Sequence, residues 1–176
     1  MKDARGREIK YLRVSVTDRC NLRCKYCMPN GIECVEHKDI LSFEEIRQIA
    51  VCGARLGITK IRLTGGEPLA RKGCPELIRM LKEIPGIEKI AMTTNGTLVR
   101  AILPELVEAG LDEINISLDT LDAGTFATIT GQDLLPEVLL AIDAALAAGL
   151  KVKVNAVSMP DTDWKRLITL AKDKPV

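Results

Sequence analysis

Lys60-Ile61-Arg62-Leu63-Thr64-Gly65-Gly66-Glu67-Pro68 reads as a strand that breaks into a turn, and a helical pattern opens after it at Pro75. Successive strand side chains point to opposite faces, so Ile61 and Leu63 share one side and Arg62 and Thr64 the other. Tyr11 to Thr17, Lys89 to Thr94, Glu113 to Leu118 and Lys151 to Val157 repeat this alternation, with helical stretches between them. Strand and helix alternating along the chain predict repeated βα units and therefore a parallel sheet.

Helix signals support the same division. Ser42 with Glu45 three residues on forms a capping box, and the helix it opens is expected to bury Ile46, Ile49, Gly53 and Leu56 before Gly57 stops it. The next starts at Pro75, with Cys74 expected at its N-cap, and buries Leu77, Ile78, Leu81 and Ile84. Pro104 to Ala109, Pro136 to Ala148 and Trp164 to Lys172 complete the expected helices, with Gly110 and Gly149 as stops.

A parallel sheet covered on both faces has strands that are almost continuously aliphatic, whereas every strand here alternates. Arg13, Ser15 and Thr17 oppose Leu12, Val14 and Val16; Ala91, Thr93 and Asn95 oppose Ile90 and Met92. Asn115, Ser117 and Asp119 oppose Ile114, Ile116 and Leu118, and Lys153 and Asn155 oppose Val152 and Val154. With helices on the apolar face, the polar phase lines the concave side of a partial (βα) barrel that stops after about five βα units, whereas a filled barrel would carry bulky aliphatic layers there. Arg13, Arg62 and Lys153 bring three positive charges to that lumen, and buried cations need anionic partners. Asp119 could neutralise one of them; the functional reading is a bound phosphate or carboxylate, and the structural one a charge network.

Composition bounds the rest. The 176 residues, 47% hydrophobic and 28% charged, suit one packed domain spanning 1–176. With 25 basic against 24 acidic residues, no overall field recruits nucleic acid or an anionic membrane. The first residues show no secretion signal and no stretch is long enough to span a bilayer, so the expected location is the cytoplasm, where cysteines serve metal chemistry and not disulfides.

Cys20, Cys24 and Cys27 form a C-x3-C-x2-C triplet, and three thiolates this close can hold three corners of a cubane iron-sulfur cluster, leaving the fourth iron open. A zinc site completed by His37 is the bland alternative, although zinc ligands usually come as two separated pairs. Free core thiols fit poorly because Arg23 and Lys25 interleave the triplet. Gly65 and Gly66, at the end of the second strand, let a ligand approach the backbone, with Glu67 fixing the turn; a tight βα turn alone needs no ligand.

The triplet followed by Gly65-Gly66-Glu67-Pro68 resembles the radical S-adenosylmethionine superfamily. Five motifs in order carry a closer resemblance: Leu12 to Pro29, Lys60 to Leu69, Thr93 to Gly96, Asn115 to Asp119 and Lys151 to Val157 are similar to the GTP 3′,8-cyclase family of molybdenum cofactor biosynthesis. The resemblance implies a lyase with a 4Fe-4S cluster on Cys20, Cys24 and Cys27, and S-adenosylmethionine contacted by Tyr26, Gly66 and Ser117. It places GTP against Arg13, Arg62, Thr93 and Lys153, and implies a 5′-deoxyadenosyl radical that takes the ribose C3′ hydrogen, an external electron donor, and no nucleic acid or membrane partner.

Taken singly, Tyr26 could be a packing aromatic, Ser117 and Thr93 could bond nearby backbone, and Asn95 could serve the turn at Gly96. Asp119 is left without a role, His37 is expected to be solvated, and Cys34, Cys52 and Cys74 read as spare thiols. Members of the family continue into a C-terminal region holding a second 4Fe-4S cluster. The chain therefore reads as an N-terminal fragment, expected to be inactive alone and prone to pair with a second copy along the edge of the fifth strand. A peptide-modifying radical enzyme is the alternative, but it has no need of the three cations together; an electron carrier would ligate all four irons.

Overall fold

The structure is a computed structural model, and it describes all residues except 1, 29, 30, 32–34 and 161, together with the side chain of His37. The expectations for Cys34 and for the His37 side chain lie outside the described residues.

Five parallel strands, β1 (Tyr11–Ser15), β2 (Lys60–Thr64), β3 (Lys89–Thr94), β4 (Glu113–Ser117) and β5 (Lys151–Asn155), pair in sequence order in one sheet. Among the described residues six α-helices accompany them: α1 (Phe43–Arg55), α2 (Cys74–Lys82), α3 (Val99–Glu108), α4 (Ala123–Thr130), α5 (Leu135–Ala147) and α6 (Trp164–Asp173). The expected partial barrel is what folds, because the alternation of each strand leaves one face to be covered. Ile61, Leu63, Ile90, Met92, Ile114 and Ile116 are fully buried with Leu77, Ile78, Leu81, Leu106, Val138 and Ile142 of the helices. Each such side chain contributes roughly 1.5–3 kcal/mol by leaving water. β1 and β5 have one neighbour each, so their side chains are more exposed than those of the central strands. No helix among the described residues is long and apolar enough to cross a membrane.

Register sets out the polar face in rows. Arg13, Arg62, Ala91, Glu113 and Lys151 lie level across all five strands. One pleat nearer the C-terminal ends, Thr93, Asn115 and Lys153 form a second row, and Ser117 lies level with Asn155 above it.

Several helices depart from expectation. The capping box at Ser42 is formed, with Ser42 Oγ accepting from Glu45 N and Glu45 Oε2 accepting from Ser42 N. The buried line of α1, however, is Ile46 and Ala50; Ile49 and Leu56 are 47% and 57% exposed, on the helix's outer side. α2 is capped by Gly73 at φ 81, which makes Cys74 a helical residue, 1% exposed, and not the N-cap. α3 begins five residues before Pro104 and keeps that proline inside it. α4 had no expected counterpart. Its sequence is rich in threonine and buries only Phe126 and Thr130, one turn apart, although Asp122 caps its start and Gly131, at φ 77, its end.

Candidate functional site

The strands' C-terminal ends gather the cysteine loop, the glycine turn and the β3–α3 turn. Beyond β1 the chain stays alongside the end of β2: Val16 N donates to Thr64 O, Gly66 N to Thr17 O and Glu67 N to Arg19 O, each at 2.8 Å. This packing explains both glycines. A Cβ on Gly65 would stand 2.4 Å from Thr17 O, and one on Gly66 would stand 2.4 Å from Arg19 O and 2.6 Å from Asp18 O. The room these glycines provide is filled by the chain's own backbone, so close approach of a ligand is not what requires them.

Glu67 is wholly buried. Its carboxylate accepts Leu69 N at 3.0 Å, Asn95 N at 2.8 Å and the Thr94 hydroxyl, and so ties the end of β2 to that of β3. Burial pushes its carboxyl above the ordinary range, while these hydrogen bonds pull the other way. Asn95 in turn donates to Asn21 Oδ1 at 2.9 Å and to Cys20 Sγ at 3.8 Å, and its own Oδ1 accepts Thr97 N at 3.0 Å. It serves the turn, as its place before Gly96 suggested, and also reaches the first cysteine.

The loop bearing Cys24 and Cys27 is held from behind by α4: Arg23 N donates to Thr130 O at 2.8 Å and Lys25 N to Ile129 O at 3.0 Å. Cys27 N and Met28 N both donate to Cys24 O at 2.9 Å, closing the turn. Cys20 and Cys24 are half-buried and Cys27 is exposed. Burial, then the charges of Cys20, Asp119 and Cys27, pushes the Cys24 thiol up to about 11; burial also raises Cys20. Among the described residues no three His, Cys, Asp or Glu side chains converge closely enough to share a single ion, so the loop offers three separated thiols.

Tyr26 is half exposed, and its hydroxyl donates to Asp119 Oδ2 at 2.6 Å. Asp119 Oδ1 accepts Val157 N at 2.8 Å, so one carboxylate joins the cysteine loop to the segment after β5. Burial, then the Asp119 carboxylate, raises the Tyr26 hydroxyl far above its ordinary value. Both Asp119 oxygens are thus engaged away from the lumen's cations.

On the inner face the three expected cations differ. Arg13 and Lys153 are exposed on the edge strands; among the described residues Arg13 reaches Thr64 Oγ1, at 3.4 Å. Arg62 alone is buried, at 8% exposure, and its Nη1 donates to Thr93 Oγ1 at 3.2 Å. Its anionic neighbour is Glu113, whose Oε2 lies 3.8 Å from Arg62 Nη2. Glu113 thus supplies from within the chain part of the charge compensation that the buried Arg62 requires. Glu113 stands in the same alternating phase as Asn115 and Ser117, and its place at the start of β4 is the signal by which it could have been found. Ser117 is half-buried at the C-terminal end of β4, level with Asn155 of β5.

A family model of the radical SAM superfamily matches residues 14–173. The chain belongs to that superfamily. It is 51% identical to a GTP 3′,8-cyclase of Erythrobacter litoralis, over 89% of this chain and 48% of that protein. It is 53% identical to the one of Thermodesulfovibrio yellowstonii, over 90% of the chain and 50% of the relative, and 48% identical to the one of Moorella thermoacetica, over 100% and 56%. The radical SAM chain thus spans about half the length of the curated relatives it matches. Among solved structures it is similar to native anSMEcpe with bound AdoMet, with a TM-score of 0.75, 18% identity, and 94% and 49% of the two chains covered. Methylornithine synthase is similar at a TM-score of 0.73 and 20% identity, covering 94% and 50%. These two likenesses concern the fold.

Proposed function

We propose that this chain carries the S-adenosylmethionine-cleaving half of a GTP 3′,8-cyclase, the enzyme that joins the ribose C3′ of GTP to C8 of its guanine in molybdenum cofactor biosynthesis. The observation that carries the reading is the placing of two chemistries on one sheet: three separated thiols at the strand ends, and a cationic row of Arg13 and Arg62 below them on the same polar face. Relatives about half identical to the chain bear the cyclase name.

Cys20, Cys24 and Cys27 would hold a 4Fe-4S cluster, which when reduced supplies the electron that cleaves S-adenosylmethionine to a hydrogen-abstracting 5′-deoxyadenosyl radical. Tyr26, Gly66 and Ser117 would orient S-adenosylmethionine beside the loop. Arg13, Arg62, Thr93 and Lys153 would hold the triphosphate, which leaves the ribose facing the strand ends; fixing one end of a substrate is what makes attack of C3′ on C8 effectively intramolecular. An external electron donor is part of the reading.

The test is isotopic. The inactivity expected of the chain alone concerns the cyclisation; incubated without oxygen with S-adenosylmethionine, a reductant and GTP deuterated at C3′, the reconstituted protein should still release 5′-deoxyadenosine carrying deuterium. Undeuterated 5′-deoxyadenosine in the presence of bound GTP would overturn the reading.

A further inference from the structure

Glu113 is 3% exposed, yet it stands among cations on every side. Lys60 Nζ bonds its Oε2 at 2.5 Å, Arg62 Nη2 lies 3.8 Å from the same oxygen, and Lys89 Nζ lies 3.8 Å from Oε1. Lys151 is level with it on β5 and adds a fourth positive charge. One carboxylate therefore serves four cations, and the cluster keeps an excess of positive charge on the polar face.

We infer that Glu113 is a positioning residue: it holds the Arg62 guanidinium from below while Thr93 holds it from above, so that its remaining N–H groups face the lumen for a phosphate. The inference rests on the reading of this face as the GTP site. Three features support it. Arg62 is the one buried cation of the predicted set, and a buried guanidinium needs a charge partner to stay in place. Thr93 lies one pleat nearer the strand ends than Glu113, so the two contacts bracket the guanidinium along the strand direction. Arginine presents five donors in a rigid fork, and the Thr93 bond uses one. A carboxylate that merely neutralised charge would compete with a polyanion, so the two roles have opposite consequences.

The experiment compares the wild-type chain, reconstituted without oxygen, with Glu113→Gln in two measurements. The first is the order of the Arg62 side chain, read from its Nε–Hε relaxation by nuclear magnetic resonance without any ligand. The second is the affinity for GTP and, as a probe lacking phosphate, guanosine. The expected result is a loss of Arg62 order and GTP binding weakened about tenfold, with guanosine unchanged. Unchanged Arg62 order overturns the inference, as does GTP affinity that stays level or rises. If the wild type binds no GTP while Arg62 still loses order in the variant, the GTP reading fails and the positioning of Arg62 stands. Should Glu113→Gln fail to fold, Lys60→Gln takes its place: the carboxylate is then left to Arg62, Lys89 and Lys151, and Arg62 gains order, whereas unchanged or lower order overturns the inference.

Discussion

Glu67 Oε2 accepts the backbone N–H of Asn95 at 2.8 Å, and through that bond the glycine turn after β2 fixes the turn after β3. Asn95 then reaches Cys20 Sγ, so a buried carboxylate with no exposed surface sets the height of the first cysteine. Replacing Glu67 by Gln puts an N–H₂ group where an acceptor is required. The expected loss is about 2–3 kcal/mol of folding stability, since a buried group is left unsatisfied. Urea unfolding of the variant measures it, and a loss below about 0.5 kcal/mol would show that the staple is dispensable.

Gly66→Ala drives a methyl into Arg19 O and Asp18 O, both less than 3 Å away in the present backbone. Neither is the flexible end of a side chain, so the loop leading to Cys20 must shift. The expected cost is about 1–3 kcal/mol together with weakened S-adenosylmethionine binding. Calorimetric titration with S-adenosylmethionine checks the second part; unaltered affinity would mean that the loop absorbs the methyl elsewhere.

Tyr26 and Asp119 share one short bond, and deleting either end of it should have the same consequence. Tyr26→Phe and Asp119→Ala are each expected to weaken S-adenosylmethionine binding by about 0.5–1.5 kcal/mol. The double variant should lose little more than one of them, because contacting residues do not act additively. Losses that simply sum would show that the two side chains work separately.

Glu113 also predicts how stability varies with acidity. Burial acts to raise its carboxyl, but the Lys60 bond and the charges of Lys60, Lys151 and Lys89 outweigh burial, and the folded-state value is lowered. A lowered folded value means the folded protein binds fewer protons than the unfolded one, so the contribution is present above the unfolded carboxyl's ordinary range and disappears as pH falls through the folded value. Wild type and Glu113→Gln should therefore differ in urea unfolding at pH 7 and converge in acid. A gap that widens in acid would contradict the sign.

Cys74 and Cys52 should part under alkylation. Burial pushes the Cys74 thiol up to about 12, and it is buried at the start of α2, whereas Cys52 is exposed on α1. At pH 8 iodoacetamide should label Cys52 in the native protein and Cys74 only on unfolding, as peptide mass spectrometry would show. Equal rates would contradict the buried placement.

Much of this architecture is legible in the residues because strand alternation is local: Ile61, Leu63, Ile90 and Ile116 declare their face without any knowledge of partners. α4 is not legible that way, since a short helix with only Phe126 and Thr130 against the core has no stripe to see, and its caps alone mark it. The stripe of α1 was misplaced onto Ile49 and Leu56 because apolar residues at helical spacing do not say which side the sheet lies on. At the site, the cysteine triplet and the glycine turn stand out by spacing. Contacts such as Tyr26 with Asp119, Asn95 with Cys20 and Arg62 with Glu113 join residues dozens of positions apart, and only the register of the strands brings them together.

The measurement that bears most directly on the open-iron site is electron paramagnetic resonance of the chain, reconstituted without oxygen with iron and sulfide and then reduced, before and after S-adenosylmethionine. A 4Fe-4S signal that changes on addition, and that disappears when Cys20, Cys24 and Cys27 are replaced by alanine, is the expected result. A cluster signal indifferent to S-adenosylmethionine, or one that survives loss of the three cysteines, would contradict it.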